Sequence, residues 1–142
     1  MNIDTSKLTS EELKIYNKFN KTIESKIKKI DFNFTDMKKG ELMLISTPKD
    51  IIKFIKKTPS TKKYNFKDIR LKLAKKRKAD NTCPVTFGIF LRLAIEYSLI
   101  ETKYLKLEYP NFPFWKVEYD KKSNVYKKIR NFDNLLKKYD SY

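Results

Sequence analysis

The sequence predicts a mainly α, α+β fold: a helical domain with a β-hairpin near its C-terminus and an added amphipathic helix at its N-terminus. Three observations carry this expectation. Capped apolar stretches at helical spacing recur from about residue 10 to residue 99. Two short segments, 115–119 and 125–129, flank the polar run Asp120-Lys121-Lys122-Ser123-Asn124 in the manner of a hairpin. A last apolar stripe, Phe132, Leu135, Leu136 and Tyr139, closes the chain as a helix. With 142 residues the chain supports one domain with a modest core and an appendage. The expected division is an N-terminal helical extension over 1–40 and the main domain over 41–142.

Taken in order, Thr9-Ser10-Glu11-Glu12 fits a capping box, with Leu8 and Leu13 placed as a hydrophobic staple, so a helix is expected from about residue 10. Tyr16, Phe19, Ile23, Ile27 and Ile30 then recur at three- and four-residue steps and predict one apolar helical stripe. That stripe must cover its own domain, a partner protein or a second subunit. Asp31 to Gly40 reads as a linker and Leu42–Ile45 as a short strand. Thr47 caps a helix with Pro48 at its first position, where the missing N–H costs nothing. Asn65 caps another, from Phe66 to about Lys78. Pro84 to about Leu99 is apolar on nearly every side and is the expected central helix, in which Gly88 suggests close approach of another backbone. Helices followed by a hairpin are the layout of a winged-helix domain.

Charge narrows the partner. Thirty-three Lys and Arg face seventeen Asp and Glu, a net charge of +16 that is concentrated after residue 40. Such a field attracts polyanions, because each phosphate neutralised releases condensed counterions. The competing explanation is an A/T-rich coding bias, which also produces lysine in excess of arginine. The absence of histidine and the single cysteine exclude the usual zinc ligand sets and an internal disulfide framework. Only Gly40 and Gly88 are present, too few for a glycine-rich nucleotide loop, and no cofactor is expected. No apolar run approaches the ~20 residues that span a bilayer, and no signal-peptide pattern opens the chain. The expected setting is intracellular, in cytoplasm, nucleus or a viral particle or factory, without membrane attachment.

Three blocks carry a resemblance. Thr58-Pro59-Ser60-Thr61-Lys62-Lys63-Tyr64-Asn65-Phe66-Lys67-Asp68-Ile69 lies without a gap on the pattern Val-Pro-x-Gly-Lys-Val-Thr-Thr-Tyr-Gly-x-Ile. Asp80-Asn81-Thr82-Cys83-Pro84-Val85-Thr86-Phe87-Gly88-Ile89-Phe90 follows a Thr-Cys-Pro-x-Thr-x-Gly-Ile-Phe run. Pro113-Phe114-Trp115-Lys116-Val117 is similar to Pro-Tyr-Trp-Arg-Val and to Pro-Cys-His-Arg-Val. Over residues of about 42–138 the chain thus resembles the C-terminal DNA-binding domain of alkylguanine-DNA alkyltransferases, and more closely the small alkyltransferase-like proteins that carry that domain without the acceptor cysteine.

The resemblance implies a repair-protein scaffold without its chemistry. Phe114 stands at the acceptor cysteine and Trp115 at its histidine, a degenerate acceptor site with neither nucleophile nor base. Cys83 lies in the recognition block instead and reads as a small hydrophobe. The helix from Pro84 would face DNA, with Thr82 and Thr86 at its start, Val85 where the family has an arginine finger, and Phe66 where it has a tyrosine. Lys62, Lys63, Lys67, Arg70, Arg92, Lys116, Lys121, Lys122, Lys127 and Lys128 complete a positive frame that positions a duplex without reading it. The expected function is non-enzymatic, weakly sequence-specific binding of duplex DNA. The alternative is a basic subunit of a ribosome- or polymerase-type assembly that docks a partner protein through Tyr16, Phe19, Ile23 and Ile27.

Overall fold

In the computed structural model, which describes residues 2–21, 23–59 and 61–142, the first helix begins where the capping box places it. Helix α1 spans Ser10–Asn20, and Thr9 Oγ1 accepts the Glu12 N–H at 3.1 Å while the Glu12 carboxylate accepts the Thr9 N–H at 3.0 Å. The same carboxylate takes the Tyr104 hydroxyl at 2.6 Å and the Lys103 ammonium at 3.3 Å, both from the far end of the longest helix. Burial alone would push Glu12 up, but these hydrogen bonds outweigh it and hold its carboxyl at about 2. Phe19 stacks on Tyr97, ring centroids 3.9 Å apart, so the apolar face of α1 is spent inside the chain.

The expected helical stripe does not run on to Ile30. Lys26–Lys29 forms strand β1, antiparallel to β2 (Leu42–Ile45), with Ile27 opposite Leu44. Four-residue spacing of isoleucines fits a helix, but the backbone of β2 would otherwise present an unpaired edge, and a Lys-Ile-Lys-Lys strand covers it with charged side chains outward. Ile23 and Ile27 remain exposed, and Ile30 joins a small buried cluster with Met37, Met43 and Cys83. The segment read as a linker is ordered around that cluster: Met37 is buried, Phe34 and Met37 form a bridge, and Gly40 turns the chain with φ +90°.

The central elements follow their sequence signals. Helix α2, Pro48–Lys56, is capped by Thr47, and α3, Phe66–Lys76, by Asn65. Between α3 and the next helix lies β4, Asn81–Thr82, parallel to β2, giving a three-stranded sheet of order β1-β2-β4. Helix α4, Pro84–Tyr104, runs through the core and packs against α1 and α2. Its Gly88 does not admit another backbone: a Cβ there would meet nothing within 4 Å, so the expected close approach is absent.

The C-terminal hairpin is also absent. After a 3₁₀ turn at Phe114–Lys116, strand β5 (Val117–Glu118) pairs in parallel with β3 (Tyr64–Asn65). The polar run then starts a helix: Asp120 accepts the Lys122 N–H, and Ser123 Oγ caps α5 (Asn124–Lys128) through the Tyr126 N–H. The physical reason is side-chain direction. A strand would put Lys127 on the same face as Val125 and Ile129, whereas a helical turn buries Val125 and Ile129 together and leaves Lys127 outside. Helix α6, Phe132–Tyr139, closes the chain as the sequence predicts.

One buried cation ties the halves together. Arg70 of α3 is 7% exposed; its Nε donates to the Thr82 carbonyl at 2.9 Å and its two terminal nitrogens to the Asp36 carboxylate at 2.8 Å each. Thr82 Oγ1 returns a bond to the Arg70 carbonyl at 2.7 Å. The hydrogen bonds from Arg70 hold the Asp36 carboxyl down at about 2, so its stabilising contribution is complete above about pH 4 and is lost as pH falls toward 2. Asp36→Asn should cost about 1–3 kcal/mol in urea unfolding at pH 7, less than for a fully buried pair because the Asp36 side chain is 44% exposed. The variant should also lose the part of the acid unfolding limb that belongs to this carboxylate; an unchanged midpoint at both pH 7 and pH 3 contradicts the assignment.

Candidate nucleic-acid interface

The β3–β5 pair places three chain segments side by side. Because the strands are parallel, Phe66-Lys67 at the start of α3 and Tyr119-Asp120-Lys121 after β5 leave the pair at the same end. Phe66 fixes the arrangement: its ring meets Phe87 of α4 edge-on at 5.6 Å and Tyr119 edge-on at 5.7 Å. Half-buried between them, Phe66 is a spacer and not a free stacking platform. Tyr119 donates its hydroxyl to the Phe114 carbonyl at 2.8 Å, and burial pushes that phenol well above its usual range.

Around this junction the expected basic residues divide into three groups. Lys67, Lys121, Lys122, Lys127 and Lys128 are exposed and, among the described residues, form no ion pair; Lys62 is exposed beside the Tyr64 ring. Lys63, Lys116 and Arg92 have partners within the chain. Lys63 pairs with Asp140 at 2.9 Å, both half in solvent, an interaction worth ~0–1 kcal/mol. Lys116 donates to the Thr58 carbonyl at 2.9 Å, and Arg92 lies 3.1 Å from Glu96 one turn along α4.

Arg70 and Thr82 depart from the expectation. Both are buried in the clamp described above and present no side-chain atom to a duplex. Charge and hydroxyl were the sequence signals, and neither distinguishes an outward contact from an internal one. Thr86 is half-buried, its Oγ1 enclosed without a hydrogen-bond partner.

Phe114 and Trp115, the pair expected at a degenerate acceptor site, are both buried. Phe114 is 0% exposed, lies 5.8 Å from Phe132 in a stacked arrangement, and is flanked by Phe112, Trp115 and Tyr139. Trp115 is buried beside it, its indole N–H donating to the Tyr142 carbonyl at 3.3 Å. Cys83 is buried at the start of α4 among Ile30, Met37 and Met43.

Two features escaped the sequence reading. Val85 and Ile89 stand one turn apart on α4 with 51% and 58% of their surface exposed, so the outward face of this helix begins apolar. Their neighbours on nearly every side are apolar too, which hid the direction. A second cationic surface is formed by Lys53 of α2 and Lys57 just past its end with Lys76 and Arg77 at the end of α3, signalled by the four-residue step from Lys49 to Lys53 to Lys57.

Among the described residues no three metal-ligating side chains converge, and no helix is long and apolar enough to cross a membrane. Comparison with family models, with curated proteins and with solved structures finds no significant match for this chain.

Substitution of Phe114 by cysteine tests the packing of this position. The variant should be destabilised by about 3–5 kcal/mol, as for other large-to-small changes in aromatic cores. Its new thiol, enclosed by apolar rings and without an imidazole, should be as slow as Cys83 toward a disulfide reagent until denaturant is added. A thiol at 114 that reacts fast in native buffer contradicts the enclosure.

Proposed function

We propose that this chain is a non-enzymatic, alkyltransferase-like protein that binds duplex DNA through backbone phosphates, with weak sequence specificity. The observation that carries the reading is a contrast: Phe114, matched to the acceptor position, is fully buried, while Lys67, Lys121, Lys122, Lys127 and Lys128 stay exposed and, among the described residues, form no ion pair. Charge of this kind supplies affinity without base readout. In this reading α3 and α4 form the helical platform of a winged-helix-like domain, and the turn at 120–123 with α5 stands where a hairpin wing would lie. Lys62 approaches the duplex from the loop before β3, Lys67 from the start of α3, and Lys121, Lys122, Lys127 and Lys128 from the turn at 120–123 and α5. Val85 and Ile89 supply apolar contact with a groove wall, the role that exposed aliphatic side chains take in minor-groove binders.

Flipping a base for transfer is not part of the proposal, since neither a reacting group nor an arginine wedge stands in the matching positions. Docking of a partner through the N-terminal helix has lost Tyr16 and Phe19 to contact with Tyr97, which leaves Ile23 and Ile27 exposed beyond the helix end.

Gel shifts with plain duplexes of unrelated sequence test the reading. Replacing Lys121, Lys122, Lys127 and Lys128 together by glutamine should weaken binding by about ten- to a hundredfold, by the same factor for each duplex, with the unfolding midpoint unchanged. Retained affinity in that variant, or a loss confined to one sequence, overturns it.

A further inference from the structure

A cationic cleft lies between α2 and α3, its Phe54 packed edge-on against Tyr64 of β3. A cleft of about 230 Å³ is lined by Ser46, Lys53, Lys57, Lys76 and Arg77, with Asp50 at one side. Leu44, Phe54 and Leu73 provide its apolar wall. Four cations thus meet one carboxylate, an imbalance that leaves the cleft strongly positive. Lys76 is held over the Phe54 ring, its Nζ 5.2 Å from the centroid, and Arg77 donates through one terminal nitrogen to Ser25 Oγ. Lys53 and Lys57 form no ion pair among the described residues.

The independent observation is Ser46. The residue is 1% exposed, lines the cleft, and its Oγ has no hydrogen-bond partner. A buried hydroxyl left unpaired costs about 1–3 kcal/mol, so its retention at the base of a cationic cleft calls for an acceptor there. Neighbouring Thr47 is already committed as the cap of α2, and the Asp50 N–H is its donor. An acceptor arriving between Ser46 and the lysines gains most if it carries negative charge.

We infer that this cleft binds a phosphate monoester dianion, with Ser46 donating one hydrogen bond and Lys53, Lys57 and Lys76 neutralising the charge. The volume, below that of a drug-sized pocket, accepts a phosphoryl group and a small substituent on the apolar wall, and no stack of nucleobases. Asp50 opposes the ligand and sets a modest affinity. The inference goes beyond duplex binding and stands or falls separately from it.

Titration of the isotope-labelled full chain by inorganic phosphate, by a small phosphate monoester, and by a short 5′-phosphorylated single strand against its 5′-hydroxyl counterpart, followed by amide shifts, tests it. Saturable shifts at Ser46, Lys53 and Lys76 are expected with phosphate and the small monoester at pH 7.5. They should weaken severalfold at pH 5, below the second phosphate pKa of about 6. Equal response to the 5′-phosphorylated strand, and none to its 5′-hydroxyl form, would assign the source as a strand terminus; response to the small ester alone assigns a metabolite-sized ligand. Ser46→Ala and Lys53→Gln should each lower affinity roughly tenfold, the loss expected for a charge-assisted hydrogen bond, and Asp50→Asn should raise it severalfold. The lysine-to-glutamine changes at 121, 122, 127 and 128 should leave it unaltered. Shifts that never saturate, that spread over all surface lysines, or that survive both Ser46→Ala and Lys53→Gln overturn the site and identify the Ser46 partner as a water.

Discussion

A buried guanidinium is the constraint on which the rest of this structure depends. Arg70 sits inside the domain, where an uncompensated charge would be costly, so each of its three nitrogens needs a partner. The Thr82 carbonyl answers one and the Asp36 carboxylate answers two, from chain segments 12 and 34 residues away. Satisfying this one side chain therefore fixes α3 against β4, sets where α4 begins, and orders the loop that leads into β2. It also removes Arg70 and Thr82 from any external role.

The second organising element is the aromatic block around Phe114. Its ring is stacked on Phe132 and bounded by Trp115 and Tyr139. The same packing carries Tyr119 and, through Phe66, the start of α3. Exposed lysines on a fixed frame suit a partner whose charges are regularly spaced, which is the physical basis for reading them as a duplex contact.

Local signals in the sequence were legible and long-range ones were not. Thr9, Thr47 and Asn65 announce helix starts because each cap is a bond to a backbone N–H three residues on, and all three caps are present. The isoleucines at 23, 27 and 30 misled because even spacing records which residues are apolar, not whether a neighbouring strand needs a partner. The segment from Val125 to Ile129 misled in the opposite sense: its four-residue spacing was the better guide than its β-branched composition. At the candidate interface, Lys67, Lys121 and Lys122 are exposed. The inward turn of Arg70 depends on Asp36, and no local pattern links the two. The unpartnered hydroxyl of Ser46 is likewise a property of packing alone.

The account's central claim is that a scaffold with its reacting position filled still holds DNA by phosphate contacts from free lysines. The most direct test is the salt dependence of duplex affinity for the unaltered protein. Four to six phosphate contacts predict a straight line of log affinity against log salt with a slope of roughly −4 to −5, the same for every sequence tried. A slope near zero, or no duplex binding even at low salt, would contradict the claim.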